Sequence, residues 1–281
     1  ENDVWNPKRY LNCNGVTELY GEKFHCWKKK GHGNVNMRSA IQRSCDVYFY
    51  EVARLLGVDR LSETAKKFGL GKTLLDGFIE ERSGVVPNTT WKKKFIGKNW
   101  YLGETLHSGI GQGYFQSTPL QLCLMTAQLA NGGFELKPRL LVNEEKNNLR
   151  EFIKYKNDNP NEPLPLDMLV SNFDLKPLFR NQENINFVKD AMYAATNEAG
   201  GTSYRSRLLD KKFMFAGKTG SSQIKRFTAE QRELEVKQKD LDYKDRDHAL
   251  FVAFAPVKDP QYAISVVVEH GGTGSSAAAP L

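Results

Sequence analysis

Apolar positions follow a helical period through the middle of this chain and condense into short aromatic and β-branched runs only near its end. The period predicts helices near 36–43, 45–56, 59–67, 118–131 and 184–197. The second, in "RSCDVYFYEVARLL", is apolar on nearly every face (Val47, Tyr48, Phe49, Tyr50, Val52, Ala53, Leu55, Leu56), so a buried helix with a rigid first turn is expected. Ser44 reads as its N-cap, with Asp46 in the first turn where the dipole favours an anion. The helix over 118–131 opens with Thr118, Pro119 and Gln121 in capping-box spacing. Strands are expected at 213–224, 248–256 and 262–270. Helices followed by late strands suit a mixed α/β (α+β) domain, an antiparallel sheet flanked by helices.

Three regions differ in texture. Residues 1–45 read as a zinc-loop region, loop-rich over 1–33 and punctuated by Gly15, Gly21, Gly31 and Gly33, residues 46–200 as mainly helical, and residues 201–281 as sheet strands. The polar, Pro-rich stretch 144–167 reads as an exposed excursion, and 225–247, which alternates charge sign between two strands, as a solvated and partly helical insertion. The closing "SSAAAPL" suits the start of a further helix, as though the chain were cut there.

Composition narrows the partners. The chain has 281 residues and 40% hydrophobic content, enough for a real core, and a net charge of +7. That balance fits a cell envelope or an anionic partner, but the runs Lys28-Lys29-Lys30 and Lys92-Lys93-Lys94 read as solvated faces. No aromatic-interleaved basic module, finger spacing or recognition helix supports nucleic-acid binding. No apolar run reaches membrane-span length and Glu1 opens no signal peptide, so a membrane anchor is expected outside this chain.

Two short motifs carry chemistry. Lys218-Thr219-Gly220-Ser221 lies in a strand-like run, where a Gly permits close approach of a ligand backbone and the Lys and hydroxyls offer a cation and donors to a carboxylate. Ser44-Cys45-Asp46 is uninformative alone, as an N-cap of the same composition is common. Their order is what counts. Penicillin-binding enzymes and serine β-lactamases carry Ser-x-x-Lys, then Ser-x-Asn or Ser-x-Asp, then Lys-Thr-Gly on a strand. The only Ser-x-x-Lys here, Ser222-Gln223-Ile224-Lys225, follows Lys-Thr-Gly on the same strand and reads as a decoy.

The blocks "KKKGHGNVNMRSAIQRSCDVYFYEVARLLGVDRLSE", "EERSGVVP", "WYLGETLHSGIGQGYFQSTPLQL" and "FAGKTGSSQ" resemble the transpeptidase domain of the penicillin-binding protein 2 family, the elongation-specific class B enzymes of Gram-negative bacteria. The resemblance implies the penicillin-binding and serine β-lactamase-like fold with a helical subdomain, and places the nucleophilic Ser-x-x-Lys ahead of residue 1. It implies a serine acyl-enzyme formed from a D-Ala-D-Ala stem peptide of peptidoglycan and resolved by the amine of a second stem. Ser44 would relay protons to the leaving amine, and Lys218 would hold that network in a positive field. Thr219 and Ser221 would bind the substrate carboxylate, Gly220 lies between them, and the Ser221 N–H would form half of the oxyanion hole. Asp46, where relatives often carry Asn, is expected to orient Lys groups. β-Lactams, a SEDS-type glycan polymerase and elongation scaffold proteins are the implied partners, at the periplasmic face of the inner membrane. The alternatives are a penicilloyl-sensing or catalytically silent binding module of the same fold and a β-lactamase; the blocks around 100–122 argue against the last.

The cysteines pose a separate question. Cys13, Cys26, His32 and Cys45 are separated by twelve, five and twelve residues, and three cysteines with one histidine form a common closed tetrahedral zinc set. A zinc ion uses the third thiol that a disulfide would leave free; a disulfide plus a free thiol and three reduced core thiols are the other readings. Relatives are similar in carrying a zinc site of Asp, His and Cys ligands beside the active site, so Cys13 and Cys26 would stand where they have Asp. With Ser44 and Asp46 facing the cleft, Cys45 would point behind it. His25 competes with His32 as a ligand, but its place beside Cys26 strains joint chelation. Cys123, in "LQLCLMTAQLA", reads as a core residue.

Overall fold

A computed structural model describes residues 4–75, 78–138, 176–225 and 236–281, together with 154, 155, 157–160, 162, 227, 228, 231 and 234. The cysteine-bearing segment is the first departure from expectation. Instead of loop it forms two antiparallel ribbons, β1 (Leu11–Cys13) paired with β4 (Gly33–Val35) and β2 (Val16–Leu19) paired with β3 (Glu22–His25). Strands of three and four residues are too short to show a two-residue period in sequence. Gly31 makes the ribbon crossing possible: its φ is +74°, and a Cβ there would stand 2.0 Å from the Cys13 carbonyl oxygen.

Helix α1 (Met37–Arg43) is capped by Asn36, whose side chain accepts the Ser39 N–H. Helix α2 (Asp46–Leu56) follows after a two-residue link, and here the expected cap moves. Cys45 is the N-cap residue of α2, whereas Ser44 is the C-cap of α1 in the left-handed region, φ 53° and ψ 55°. The chain must reverse within two residues, and the left-handed turn does so while Cys45 N–H closes onto Ala40 O at 2.9 Å. As expected, α2 is largely buried, with Val47, Tyr48, Tyr50 and Ala53 inside, although Leu55 is exposed.

Helices α3 (Val58–Lys67), α6 (Pro119–Ala130) and α7 (Gln182–Asn197) lie where the period predicts, and α6 has the full Thr118–Gln121 capping box. Two eight-residue helices, α4 (Thr89–Ile96) and α5 (Leu102–Gly109), carry too few turns to show a clear apolar period. Lys93 and Lys94 are exposed as expected of a solvated face, but Lys92, on α4, is not: it is 2% exposed and its Nζ donates to both carboxylate oxygens of Glu104 at 2.5 and 2.7 Å.

Strands β5 (Ala216–Ser222), β6 (His248–Ala255) and β7 (Tyr262–Val268) form one antiparallel sheet in that order, with Lys218 opposite Val252. The two-residue period of β6 divides the core. Phe254 joins Ala216 with Leu129, Ala130, Ile185 and Met192 of α6 and α7 on one face, while Ala249, Phe251 and Ala253 meet Ala278 and Ala279 on the other. The closing segment makes a π-type turn, Gly274–Ala278, laid on this second face. Cys123 is half-buried, its thiol on Ala263 O of β7 at 3.4 Å, so it marks the α6–β7 contact rather than the core interior. Much of the excursion 144–167 lies outside the described residues. The charged insertion holds 3-10 turns at Gln238–Asp240 and Tyr243–Asp245 and is rooted by Asp247, which accepts from Ile224 N–H and Gln238 Nε2.

Removing Lys92 strands a partly buried carboxylate. In the intact protein Lys92→Ala is expected to lower unfolding free energy by about 3 kcal/mol, and Lys93→Ala by less than about 0.5 kcal/mol, read from urea transitions. Equal losses would place the pair in solvent.

Candidate active site and metal centre

The α1–α2 turn delivers Ser44 at a cost. A non-glycine residue in the left-handed region is disfavoured by about 1–2 kcal/mol, so the surrounding contacts must hold it. What it gains is a side chain aimed across the molecule: Lys218 Nζ donates to Ser44 Oγ at 2.5 Å, joining positions 174 residues apart. Lys218 stands third in β5, on the face it shares with Ala216, and its Nζ also donates to Thr219 O at 2.9 Å. Burial pulls the ammonium down to about 8, with the Asp46 charge opposing the shift.

The rest of the strand motif has its own partners. Thr219 Oγ1 donates to Thr202 Oγ1 at 2.9 Å, and the Ser221 carbonyl accepts from Gln112 Nε2 at 2.9 Å. Gly220 meets nothing that demands glycine: an added Cβ would make only ordinary contact, 3.5 Å from Leu250 Cβ. Glycine here keeps the exposed strand surface clear. Beyond it, Ser222 is exposed at the end of β5, and Lys225 is paired at the surface with Asp245 at 2.7 Å, which leaves Ser222-x-x-Lys225 without a buried base.

Asp46 stands between the two sides of the turn, its charge acting on Lys218 as expected of a group that orients lysines. Its carboxylate turns to the cysteine segment and accepts the Trp27 backbone N–H at 2.8 Å. Burial, with the nearby Cys26 charge, raises it to about 7 against that hydrogen bond.

Behind the turn, Cys13, Cys26, His32 and Cys45 are all buried, with one donor atom of each within 4.8 Å of the others. His32 Nδ1 is 3.5 Å from Cys26 Sγ and 3.8 Å from Cys13 Sγ. Two donors on one tetrahedral zinc stand about 3.5–3.8 Å apart, given Zn–N and Zn–S bonds of about 2.0 and 2.3 Å. The set fits such an ion, and all three cysteines are free thiols. The Cys45 thiol donates to Cys26, which holds Cys26 well below the usual thiol range and pushes Cys45 upward. His25 is exposed at the end of β3, outside the cluster.

Sequence reading missed Trp27, Thr202 and Gln112. Gln112 lies within the quoted block "GIGQGYFQSTPLQL", but the 109-residue separation from its partner leaves no local signal. Thr202 belongs to the 199–203 loop after α7, which is tied to α1 by Thr202 N–H on Gln42 O and Gln42 Nε2 on Ala199 O.

Residues 1–281 match the family described as penicillin binding protein transpeptidase domain. The peptidoglycan D,D-transpeptidase MrdA of Salmonella typhimurium is 34% identical over 255 residues, 91% of this chain and 38% of that protein. Its Haemophilus influenzae counterpart is 35% identical over 260 residues, 92% of this chain and 37% of that protein. The chain thus spans well under half the length of these relatives. Among solved structures, Pseudomonas aeruginosa PBP2 in complex with WCK 5153 is 35% identical with a TM-score of 0.76, covering 99% of this chain and 54% of that one. Helicobacter pylori PBP2 in complex with MreC is 30% identical with a TM-score of 0.76, covering 96% of this chain and 43% of that one.

The left-handed turn makes its own prediction. Ser44→Gly and Ser44→Ala both lose the Lys218 contact, but only glycine relieves the backbone, so the glycine variant should be about 1 kcal/mol more stable by urea denaturation. The reverse order would mean that the turn is not left-handed in solution.

Proposed function

Since the chain belongs to the penicillin-binding protein transpeptidase-domain family, we propose that it forms one wall of a serine D,D-transpeptidase that cross-links peptidoglycan during cell elongation. The contact between Ser44 Oγ and Lys218 Nζ carries this reading, because it sets a hydroxyl and a cation at one point beside an open strand surface. The acylating serine and its lysine are supplied by an upstream Ser-x-x-Lys, as the family resemblance implies.

The chemistry follows from the donors in place. The terminal carboxylate of a D-Ala-D-Ala stem meets the Lys218 field and accepts from the Ser221 hydroxyl and from that of Thr219, which turns from Thr202 to the substrate. Attack on the penultimate carbonyl builds negative charge on its oxygen, which the Ser221 N–H stabilises. The upstream lysine takes the proton of the attacking serine, Ser44 relays a proton from it to the departing D-Ala amine, and Lys218 keeps the Ser44 hydroxyl oriented. The acceptor amine of a second stem then displaces the serine by the reverse proton path. A β-lactam enters the same route and stays as the acyl adduct.

Cys13, Cys26, His32 and Cys45 would hold a zinc ion, which supplies a closed structural cross-link in place of a disulfide. By analogy with the peptidoglycan D,D-transpeptidases it resembles, we place the site at the periplasmic face of the inner membrane; among the described residues no helix is long and apolar enough to cross a membrane. An elongation scaffold protein is the expected partner, by analogy with the MreC complex of the Helicobacter pylori protein, with a SEDS-type glycan polymerase beside it.

Fluorescent penicillin should label the intact protein covalently, and Ser44→Ala should slow acylation about 100-fold or more. Lys218 is charged below about 8, so the rate should fall as pH rises through that value, and Asp46→Asn, which removes the supporting charge, should move the fall to lower pH. Labelling that is absent, or indifferent to Ser44 and to alkaline pH, would overturn the assignment. Protein purified without chelator should carry one zinc per chain, and stripping it should lower the melting temperature by several degrees. Zinc-free protein of equal stability would remove the metal from the account.

A further inference from the structure

Trp27 immediately follows Cys26, yet its side chain reaches the catalytic turn. Its indole Nε1 donates to Ser44 O at 2.7 Å and to Arg43 O at 3.2 Å, its backbone N–H donates to Asp46, and its ring stands edge-on to His32 with centroids 5.4 Å apart. Burial does not account for tryptophan here, because the residue is 62% exposed. The hydrogen bonds do. The Arg43 carbonyl belongs to the peptide plane before the Ser44 Cα and the Ser44 carbonyl to the plane after it, so one donor bound to both oxygens restrains φ and ψ of Ser44 together.

We propose that Trp27 is a positioning residue, whose indole N–H locks Ser44 in its left-handed turn and links that turn to the Cys13–Cys26–His32–Cys45 cluster. Released from it, a non-glycine residue relaxes toward the right-handed or extended regions, and Ser44 Oγ swings away from Lys218. The cluster acts at a distance through the same residue, since Cys26 and His32 fix where the indole stands. The role in catalysis rests on the transpeptidase reading above, whereas the conformational lock does not.

The test uses the intact protein carrying its upstream serine and compares wild type with Trp27→Phe and with benzothienylalanine at position 27, which keeps the ring shape and replaces the N–H by sulfur. Stopped-flow acylation by a chromogenic β-lactam separates the acylation rate constant from the preceding dissociation constant. Amide exchange over residues 40–46 reports the turn without reference to activity. Loss of the shared hydrogen bond should slow acylation about tenfold with the dissociation constant changed less than about twofold, and speed exchange at Ser44 and Cys45 about tenfold. Final labelled fraction and zinc content should match wild type, because unfolded molecules lower the labelled fraction and not the rate constant. Wild-type acylation and exchange rates in both variants, or a loss explained wholly by labelled fraction or lost zinc, would overturn the proposal. A wild type that is never acylated counts against the transpeptidase reading, and exchange then decides the role of Trp27 alone.

Discussion

The contact between Lys218 Nζ and Ser44 Oγ is the constraint to which the rest of this structure answers. It requires a helix-to-helix turn and the third residue of a sheet strand to meet across 174 positions of sequence, with a serine backbone in a disfavoured conformation and an ammonium drawn from water. Neither is favourable alone. The strain at Ser44 and the burial of Lys218 persist because packed elements on both sides leave no other arrangement, as is common where structure serves chemistry.

Each side of the contact has its own support. On the strand side, Ala216 and Phe254 lie in one core with α6 and α7, which fixes the face from which Lys218 projects. On the turn side, Cys13, Cys26 and Cys45 share a core with Val47, Tyr48, Tyr50 and Leu106, so the thiol cluster is part of the packing that seats α2. The loop after α7 crosses between them, with Thr202 reaching Thr219 on the strand while its backbone N–H binds Gln42 of α1. A serine, a lysine and a cluster of three thiols and an imidazole therefore belong to one mechanical unit, although their elements come from opposite ends of the chain.

Much of this was legible in sequence, for identifiable reasons. The helices α3, α6 and α7 and the three late strands carry enough periodic positions to declare themselves, and residue types alone grouped Cys13, Cys26, His32 and Cys45. The α1–α2 turn was misread. Serine before an aspartate looks like an N-cap, and only the tertiary demand for a reversal within two residues makes Ser44 a left-handed C-cap instead. That same rearrangement turns Asp46 toward Trp27, a partner no spacing rule connects to it. Short strands in the cysteine segment and the burial of Lys92 depend on partners far along the chain, where local pattern carries no information.

The central claim is that the Ser44 hydroxyl, the Lys218 ammonium and the open surface of β5 bound one reaction cavity. A crystal structure of the intact protein acylated by a β-lactam measures this most directly. The account predicts an adduct on an upstream serine, its carboxylate against the Thr219 and Ser221 hydroxyls and Ser44 Oγ still bound to Lys218. An adduct on Ser222, or one lodged away from both Ser44 and Lys218, would contradict it.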